Sequence, residues 1–227
     1  MRQIFGSASE RNFQLATEEE MLRRIASELK HHIPFTTLGA VSGIIIMIII
    51  VLANVLPQVC QVSYPIFYIL HPAHVVLSAM VTTALYKKYG NGGIWAAILI
   101  GYVGSIGIAT LSDSVIPYLG EVLLDLPNKG IHIGFVEEWW IVNPAALIGI
   151  AIGLWKPITK FPHSGHVLIS TWASLFHIIM ALGEAVTWIT LLVIFLFLFL
   201  AVWLPCCMSD IVFPLLFVGK KLPPQEI

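Results

Sequence analysis

Six apolar stretches dominate the sequence and constrain its fold class. Each approaches the roughly 20 residues that a helix needs to cross a bilayer. Only 11% of the 227 residues are charged, whereas soluble domains carry about 25%. Inside a bilayer a helix satisfies its own backbone polar groups. The sequence therefore predicts an all-α integral membrane protein with six transmembrane helices, at approximately 38–56, 66–86, 94–112, 139–155, 164–182 and 185–205.

A pair of histidines occurs twice in the same local context. The segment HPAHVVLS, which begins at His71, recurs as HSGHVLIS, which begins at His163, at an offset of 92 residues. Each copy is followed by a segment that begins Ser-Asp, and these segments are 97 residues apart. Landmarks that stay nearly in register indicate one unit used twice. Three ionisable residues recur in both units: His71, His74 and Asp113 in the first, and His163, His166 and Asp210 in the second.

The duplication predicts an inverted repeat. Each unit holds three spans, and an odd number of spans places the second unit upside down relative to the first, as in many transporters. We assign 35–125 to the first unit, 126–139 to an external connection and 140–218 to the second unit. Residues 1–34 and 219–227 are then tails.

The basic residues predict the orientation. If the N-terminus is inside, eleven of the twelve Lys and Arg residues lie in the cytoplasm, and only Lys129 lies outside. Because cytoplasmic loops are enriched in Lys and Arg, we expect both termini to be cytoplasmic. Residues 17–33 have apolar side chains at helical spacing, which predicts an amphipathic helix on the bilayer surface before the first span.

Helix lengths predict that the histidines and the aspartate of one unit meet. His74 lies 16 residues before Gly90, and Asp113 lies 20 residues after Gly93. At 1.5 Å per residue the two arms of this hairpin are about 24 and 30 Å long, so the carboxylate reaches the depth of the histidines. We also expected Pro72 to mark the start of the histidine helix, where proline is tolerated.

Two imidazoles and a carboxylate inside a membrane indicate a site for a divalent transition metal. Zn is the ion that these ligands suit best, and Fe, Mn, Co and Ni are further candidates. The alternative is that the histidines cap helices and the aspartates accept hydrogen bonds from Ser78 and Ser170. Inversion places the two sets at different depths, so we expect two related sites rather than one merged site. Cys206 and Cys207 could lend a thiolate, although packing is the commoner role of such residues.

Three functions fit these features. An inverted repeat with intramembrane ligands favours a divalent transition-metal transporter or permease. A membrane-embedded metal-dependent hydrolase of the lipid amidase kind is the alternative, because three protein ligands leave a position for water; no catalytic residue can be assigned. The third is a structural subunit of a membrane complex. The net charge of −1 gives no basic face for nucleic acid, so the expected partners are the lipid bilayer and a metal ion, and homo-oligomer formation stays open.

Overall fold

The computed structural model describes residues 8–90, 92–156, 160–183, 186–207 and 213–217. In these residues the chain forms α-helices and one short π-helix, and no strand. The helices are α1 (Ala8–Leu52), α2 (Leu56–Tyr89), α3 (Ile94–Thr110), the π-helix (Leu111–Val115), α4 (Ile116–Leu123), α5 (Gly134–Glu137), α6 (Trp139–Trp155), α7 (Lys160–Ala181), α8 (Trp188–Cys207) and α9 (Phe213–Leu216).

Four of these helical segments are long and apolar enough to cross a membrane: Ile33–Leu52, Leu56–Lys88, Ile94–Leu123 and Trp188–Cys206. Two more apolar helices, Trp139–Trp155 and Gly165–Ala181, are shorter. Large apolar side chains such as Ile49, Leu99 and Leu192 are more than half exposed. Outward-facing apolar side chains on long helices are what an integral membrane protein presents to lipid.

Helix α2 lies at the centre of the bundle. It packs against α3, α6 and α7, while α1 packs on the other side against α7 and α8. The largest apolar cluster is formed mainly by α1, α7 and α8 around Met47, Leu175 and Leu198. A second cluster joins α2, α3 and α6 around Val75 and Val142. The polar side chains of α2 and α7 are thereby enclosed on both sides.

Two glycines of α6 permit its close approach to α2. A Cβ at Gly149 would lie 2.3 Å from the carbonyl oxygen of Val76, and one at Gly153 would lie 2.7 Å from that of Met80. Glycines four residues apart form a smooth face on which a second helix packs backbone to backbone. This contact holds α6 against the part of α2 that directly follows His74.

The helix ends differ from the predicted ones in α1 and α2. Helix α1 is continuous from Ala8 to Leu52, so the predicted surface helix at 17–33 and the first span form one element. Helix α2 begins at Leu56 and contains Pro72 in its interior, so the expectation that this proline marks a helix start was wrong. Apolar content shows which part of a helix can cross a membrane. It does not show where the helix ends, because a helix continues beyond its apolar part as long as its backbone hydrogen bonds can form.

The third span also extends further than predicted. Helices α3 and α4 are joined through the π-helix, so that the segment runs without a break to Leu123 rather than ending near residue 112. Asp113 therefore lies within a long apolar helix and not at its external end. Only residues 124–133 of the predicted external region are non-helical before α5 begins.

Candidate metal centre

Asp113 accepts hydrogen bonds from four side chains. Its Oδ2 atom lies 2.9 Å from His71 Nδ1 and 2.8 Å from His74 Nδ1. Its Oδ1 atom accepts hydrogen bonds of 2.7 Å from the hydroxyls of Ser112 and Ser170. The carboxylate is fully buried. Four donors match the approximately four lone-pair positions of an ionised carboxyl group, which explains how this charge is held inside an apolar bundle.

The π-helix determines where Asp113 points. Such turns accommodate one extra residue in a helix and occur frequently at functional sites. Here Ser112, Asp113 and Ser114 are all buried. The Ser174 hydroxyl of α7 donates to the backbone carbonyl of Ser112 at 3.0 Å. The wider turn is thus bonded to α7 while its carboxylate faces the histidines of α2.

The bond to Asp113 fixes the tautomer of His74. A carboxylate can only accept, so Nδ1 of the neutral ring carries the proton and Nε2 presents a lone pair. That Nε2 atom lies 3.9 Å from the sulfur of Cys206. The ring of His166 lies parallel to that of His74, with centroids 5.7 Å apart. A carboxylate that holds Nδ1 while Nε2 is left for an ion is the usual arrangement behind a metal-ligating histidine.

His74, His166 and Cys206 form a three-ligand cluster. One donor atom from each lies within 4.8 Å of the others, and all three residues are buried. In a tetrahedral zinc site a nitrogen and a sulfur ligand are about 3.6 Å apart, given bonds of about 2.1 and 2.3 Å. The 3.9 Å between His74 Nε2 and Cys206 Sγ approaches this value. The donor types therefore suit a transition metal, and joint ligation would require the three donor atoms, which lie within 4.8 Å of one another, to move closer together.

The other predicted ligands have different positions. His71 shares the carboxylate of Asp113 but is stacked on Phe67, with ring centroids 5.2 Å apart, and lies outside the cluster. Its Nε2 edge lies against Gly134, where a Cβ would approach it to 2.7 Å. The side chain of His163 and all of Asp210 lie outside the described residues.

The structure brings histidines of both units into one centre. His74 of the first unit and His166 of the second are neighbours, and Ser170 of the second unit bonds to Asp113 of the first. Our expectation of two separate sites assumed that inversion would keep the sets at different depths. For His74 and His166 the structure differs from this expectation, because α2 and α7 pack against each other and bring the two rings together. The number of sites stays a prediction.

Sequence reasoning gave Cys206 too little weight. Two adjacent cysteines near a repeated Ser-Asp segment were a weak signal, and packing seemed the commoner role. In the structure Cys206 is buried against His74 and Ser170, with its sulfur 3.9 Å from the ring nitrogen and 3.9 Å from the hydroxyl. Its position three residues before Ser209 of the second Ser-Asp segment was the signal that could have indicated this placement.

A second polar network lies between α2, α4, α7 and the connection before α5. His177 is fully buried, and its Nδ1 donates a hydrogen bond to Glu121 Oε1 at 2.7 Å. The same carboxylate accepts from the backbone amide of Gly130 at 3.1 Å. Although acids in a connection between spans are commonly solvated, Glu121 is fully buried.

Glu137 organises the outer end of this network. Its carboxylate lies 3.1 Å from His132 Nδ1 and accepts hydrogen bonds from the Tyr68 hydroxyl at 2.7 Å and from the backbone amide of Ile133 at 3.2 Å. Partial burial opposes ionisation, but these hydrogen bonds outweigh it and hold the pKa of Glu137 below its usual value. The carboxylate is therefore charged at neutral pH.

Comparisons with known proteins give no match from which a function could be assigned. No protein-family model matches the chain, and no curated protein or solved structure matches it. The arguments for function consequently rest on the side chains described above.

Proposed function

We propose that this protein is a divalent transition-metal transporter, with Zn²⁺ as the ion that its ligands suit best. The observation that carries the proposal is the buried cluster of His74, His166 and Cys206. These ligands come from α2, α7 and α8, and thus from both repeat units. A site that both halves of a membrane protein build together can be opened by moving one half against the other, which is the basis of alternating access.

The donor atoms set the class of ion. Imidazole nitrogen and thiolate sulfur favour Zn²⁺ and other first-row transition metals, whereas Mg²⁺ and Ca²⁺ prefer oxygen ligands. In this proposal Asp113 orients the histidine rings and balances charge instead of ligating directly, because its lone pairs are already used. His71 is held by the same carboxylate. Direct ligation by His163 and Asp210 remains a prediction from the sequence.

Three protein ligands suit transient binding. A structural zinc site is closed by four protein ligands, while a site with three retains an open position. An ion in transit must be released as well as bound. A thiolate and the Asp113 carboxylate together offset the double positive charge of the ion, so that the occupied site would be neutral in the bundle.

The helix packing supports the inverted-repeat topology that we propose with this function. Helix α1 packs against α7 and α8, and α6 packs against α2 and α3. The first helix of each unit thus lies against the second and third helices of the other unit. This exchange is what a two-fold axis in the membrane plane would produce. We propose six spans with both termini in the cytoplasm.

Transport can be tested by zinc uptake into vesicles that contain the purified protein. We expect Cys206→Ser and His166→Gln each to lower the initial uptake rate at least about tenfold, because loss of a ligand or its support lowers metal affinity 10- to 100-fold. Cys60→Ser is the matched control: this thiol donates to the carbonyl of Ile179 and should be dispensable. Wild-type uptake and zinc affinity in both ligand variants would refute the proposal.

A hydrolase is the second candidate, supported by one specific observation. The Ser170 hydroxyl lies 3.9 Å from Cys206 Sγ, next to the three-ligand cluster. A metal in that cluster would supply an activated water. Ser170 could then orient the substrate through its hydroxyl. Cleavage of a fluorescent lipid amide in vesicles that show no zinc uptake, with loss of cleavage in Cys206→Ser, would favour this candidate over transport.

A further inference from the structure

Three imidazoles surround the ring of Phe67. The ring centroid of Phe67 lies 5.2 Å from that of His71, 5.3 Å from that of His177 and 6.4 Å from that of His132. His71 is bonded to Asp113, which in turn holds His74. The outer two histidines contact each other, with centroids 5.3 Å apart and planes at 68°. The histidines therefore form a row that runs from the connection before α5 towards the buried cluster of His74, His166 and Cys206.

The two outer histidines share the arrangement seen at His74. Each has Nδ1 on a carboxylate: His177 on Glu121 at 2.7 Å and His132 on Glu137 at 3.1 Å. An ionised carboxyl group accepts the Nδ1 proton and leaves the Nε2 lone pair for an ion. His177 Nε2 is buried and has no hydrogen-bond partner among the described residues. A buried acceptor without a partner is unfavourable, and a bound cation would satisfy it.

The ring separation agrees with joint ligation of one ion. With a metal–nitrogen bond of about 2.1 Å, the metal lies about 3.2 Å from each ring centroid, so two imidazoles at the tetrahedral angle have centroids about 5.2 Å apart. The observed separation of His132 and His177 is 5.3 Å. The side chain of His132 is 27% exposed, whereas that of His177 is fully buried. The pair thus spans the boundary between surface and interior.

We propose that His132 and His177 form an entry site for a divalent transition metal, from which the ion passes to His74, His166 and Cys206. This inference rests on the proposed transport function and adds the position at which the ion is first captured. With two imidazoles and no thiolate, the entry site binds more weakly than the inner cluster. Weak outer and tighter inner binding directs the ion inwards. His71, which is stacked on Phe67, supplies the intermediate nitrogen.

Cobalt titration of the full-length protein in detergent tests this inference. Co²⁺ gives visible ligand-field bands at any such site, and a near-ultraviolet thiolate charge-transfer band only at a site with cysteine. We expect two classes of binding, a tight one with the thiolate band and a weak one without it. His132→Gln should remove the weak class and retain the tight one, and Cys206→Ser should remove the thiolate band and retain the weak class.

The variants separate failure of the entry site from failure of the inner cluster. Lys129→Gln, in the same connection, is the control and should keep both classes. His132 is partly exposed, so its replacement tests the site without disturbing the buried His177–Glu121 pair. Unchanged two-class binding in both His132→Gln and His177→Gln would overturn the entry site while leaving transport by the inner cluster intact. Reduced zinc uptake in these variants with unchanged cobalt stoichiometry would also overturn it, in favour of a proton-transfer role.

Discussion

Asp113 is the residue on which the orientation of the histidines depends. We expect Asp113→Asn to lower zinc affinity 10- to 100-fold, the range measured when the partner behind a ligating histidine is lost. The amide carries no charge, and its nitrogen cannot accept a bond from Nδ1. Competition with a chromogenic chelator measures this change. Asp125→Asn is the control, since that exposed carboxylate pairs only with Lys129 among the described residues and should leave affinity unaltered.

Gly134 provides a second test at the residue scale, through His71. A Cβ at this position would lie 2.7 Å from His71 Cδ2 and Nε2, so Gly134→Ala should move the ring or the connection and lower the thermal unfolding midpoint. Gly107→Ala is the matched control, because nothing lies within 4 Å of its Cβ position. That change should stabilise the helix by about 0.4–1 kcal/mol. Equal midpoints for the two variants would contradict the described packing of His71.

The sequence predicted some of the site residues and not their roles. Repetition identified His74 and His166, and hairpin geometry placed Asp113 beside the histidines of α2. The sequence also named Ser170 as a possible donor to an aspartate, and Ser170 does bond to Asp113. It could not show that Ser112 donates as well, so that the carboxylate has four donors. The sequence did not place Cys206 next to His74, because a thiol has the same hydropathy beside a polar cluster as in a packed core. Such distinctions depend on which side chains meet across helices.

At the scale of elements, the π-helix at Leu111–Val115 sets the relation between two buried acids. It separates α3 from α4, and removal of one residue would rotate α4 by about 100° relative to α3. Deletion of Ser114 should therefore break either the bonds of Asp113 or the Glu121–His177 pair. Loss of one partner of a buried pair destabilises by about 3–5 kcal/mol. Ser114→Ala, which keeps the length, should unfold like the wild type, and a deletion variant as stable as that control would contradict this account.

The connection before α5 should loosen in acid. Because hydrogen bonds from Tyr68, His132 and the amide of Ile133 lower the pKa of Glu137 in the folded state against the opposing effect of burial, the carboxylate contributes stability above its ordinary pKa of 4.5. That contribution is lost as pH falls through the lower folded-state value. Amide hydrogen exchange of residues 130–138 should quicken below about pH 4.5 after correction for intrinsic rates. In Glu137→Gln this additional acid step should be absent.

The presence of each helix was easier to predict than the residues at which it begins and ends. The apolar stretch 139–155 coincides with α6 because tryptophans stand at both of its ends. For α2 the prediction began ten residues late, because residues 56–65 mix polar and apolar side chains and include Pro65. The proline remains inside the helix. Prolines are tolerated in transmembrane helices where neighbouring groups satisfy the freed backbone carbonyl, and the sequence does not reveal such neighbours.

At the scale of the whole molecule, the candidate ligands from the two repeated sequence segments come together through the packing of α2 against α7. Because α2 and α7 are the helices that pack together most extensively, their histidines share one interior, and a movement between units would change the cluster directly. A transporter built in this way needs no separate element to couple its halves. The same packing would give an enzyme a rigid site, so measurements of movement across the membrane, rather than binding alone, distinguish the two functions.

The last prediction concerns the orientation of the bundle. One segment long enough to span, Ile94–Leu123, separates Lys87 from Lys129, and the shorter helix Trp139–Trp155 separates Lys129 from Lys156; all three lysines are exposed. In intact cells an impermeant maleimide should therefore label Lys129→Cys, whereas Lys87→Cys and Lys156→Cys should react only after permeabilisation. The chain without an added cysteine gives the background. The reverse pattern would contradict the orientation that we infer from the basic residues. Labelling of Lys129→Cys and Lys156→Cys from the same side would show that α6 does not cross the membrane, and the six-span inverted repeat would then be wrong.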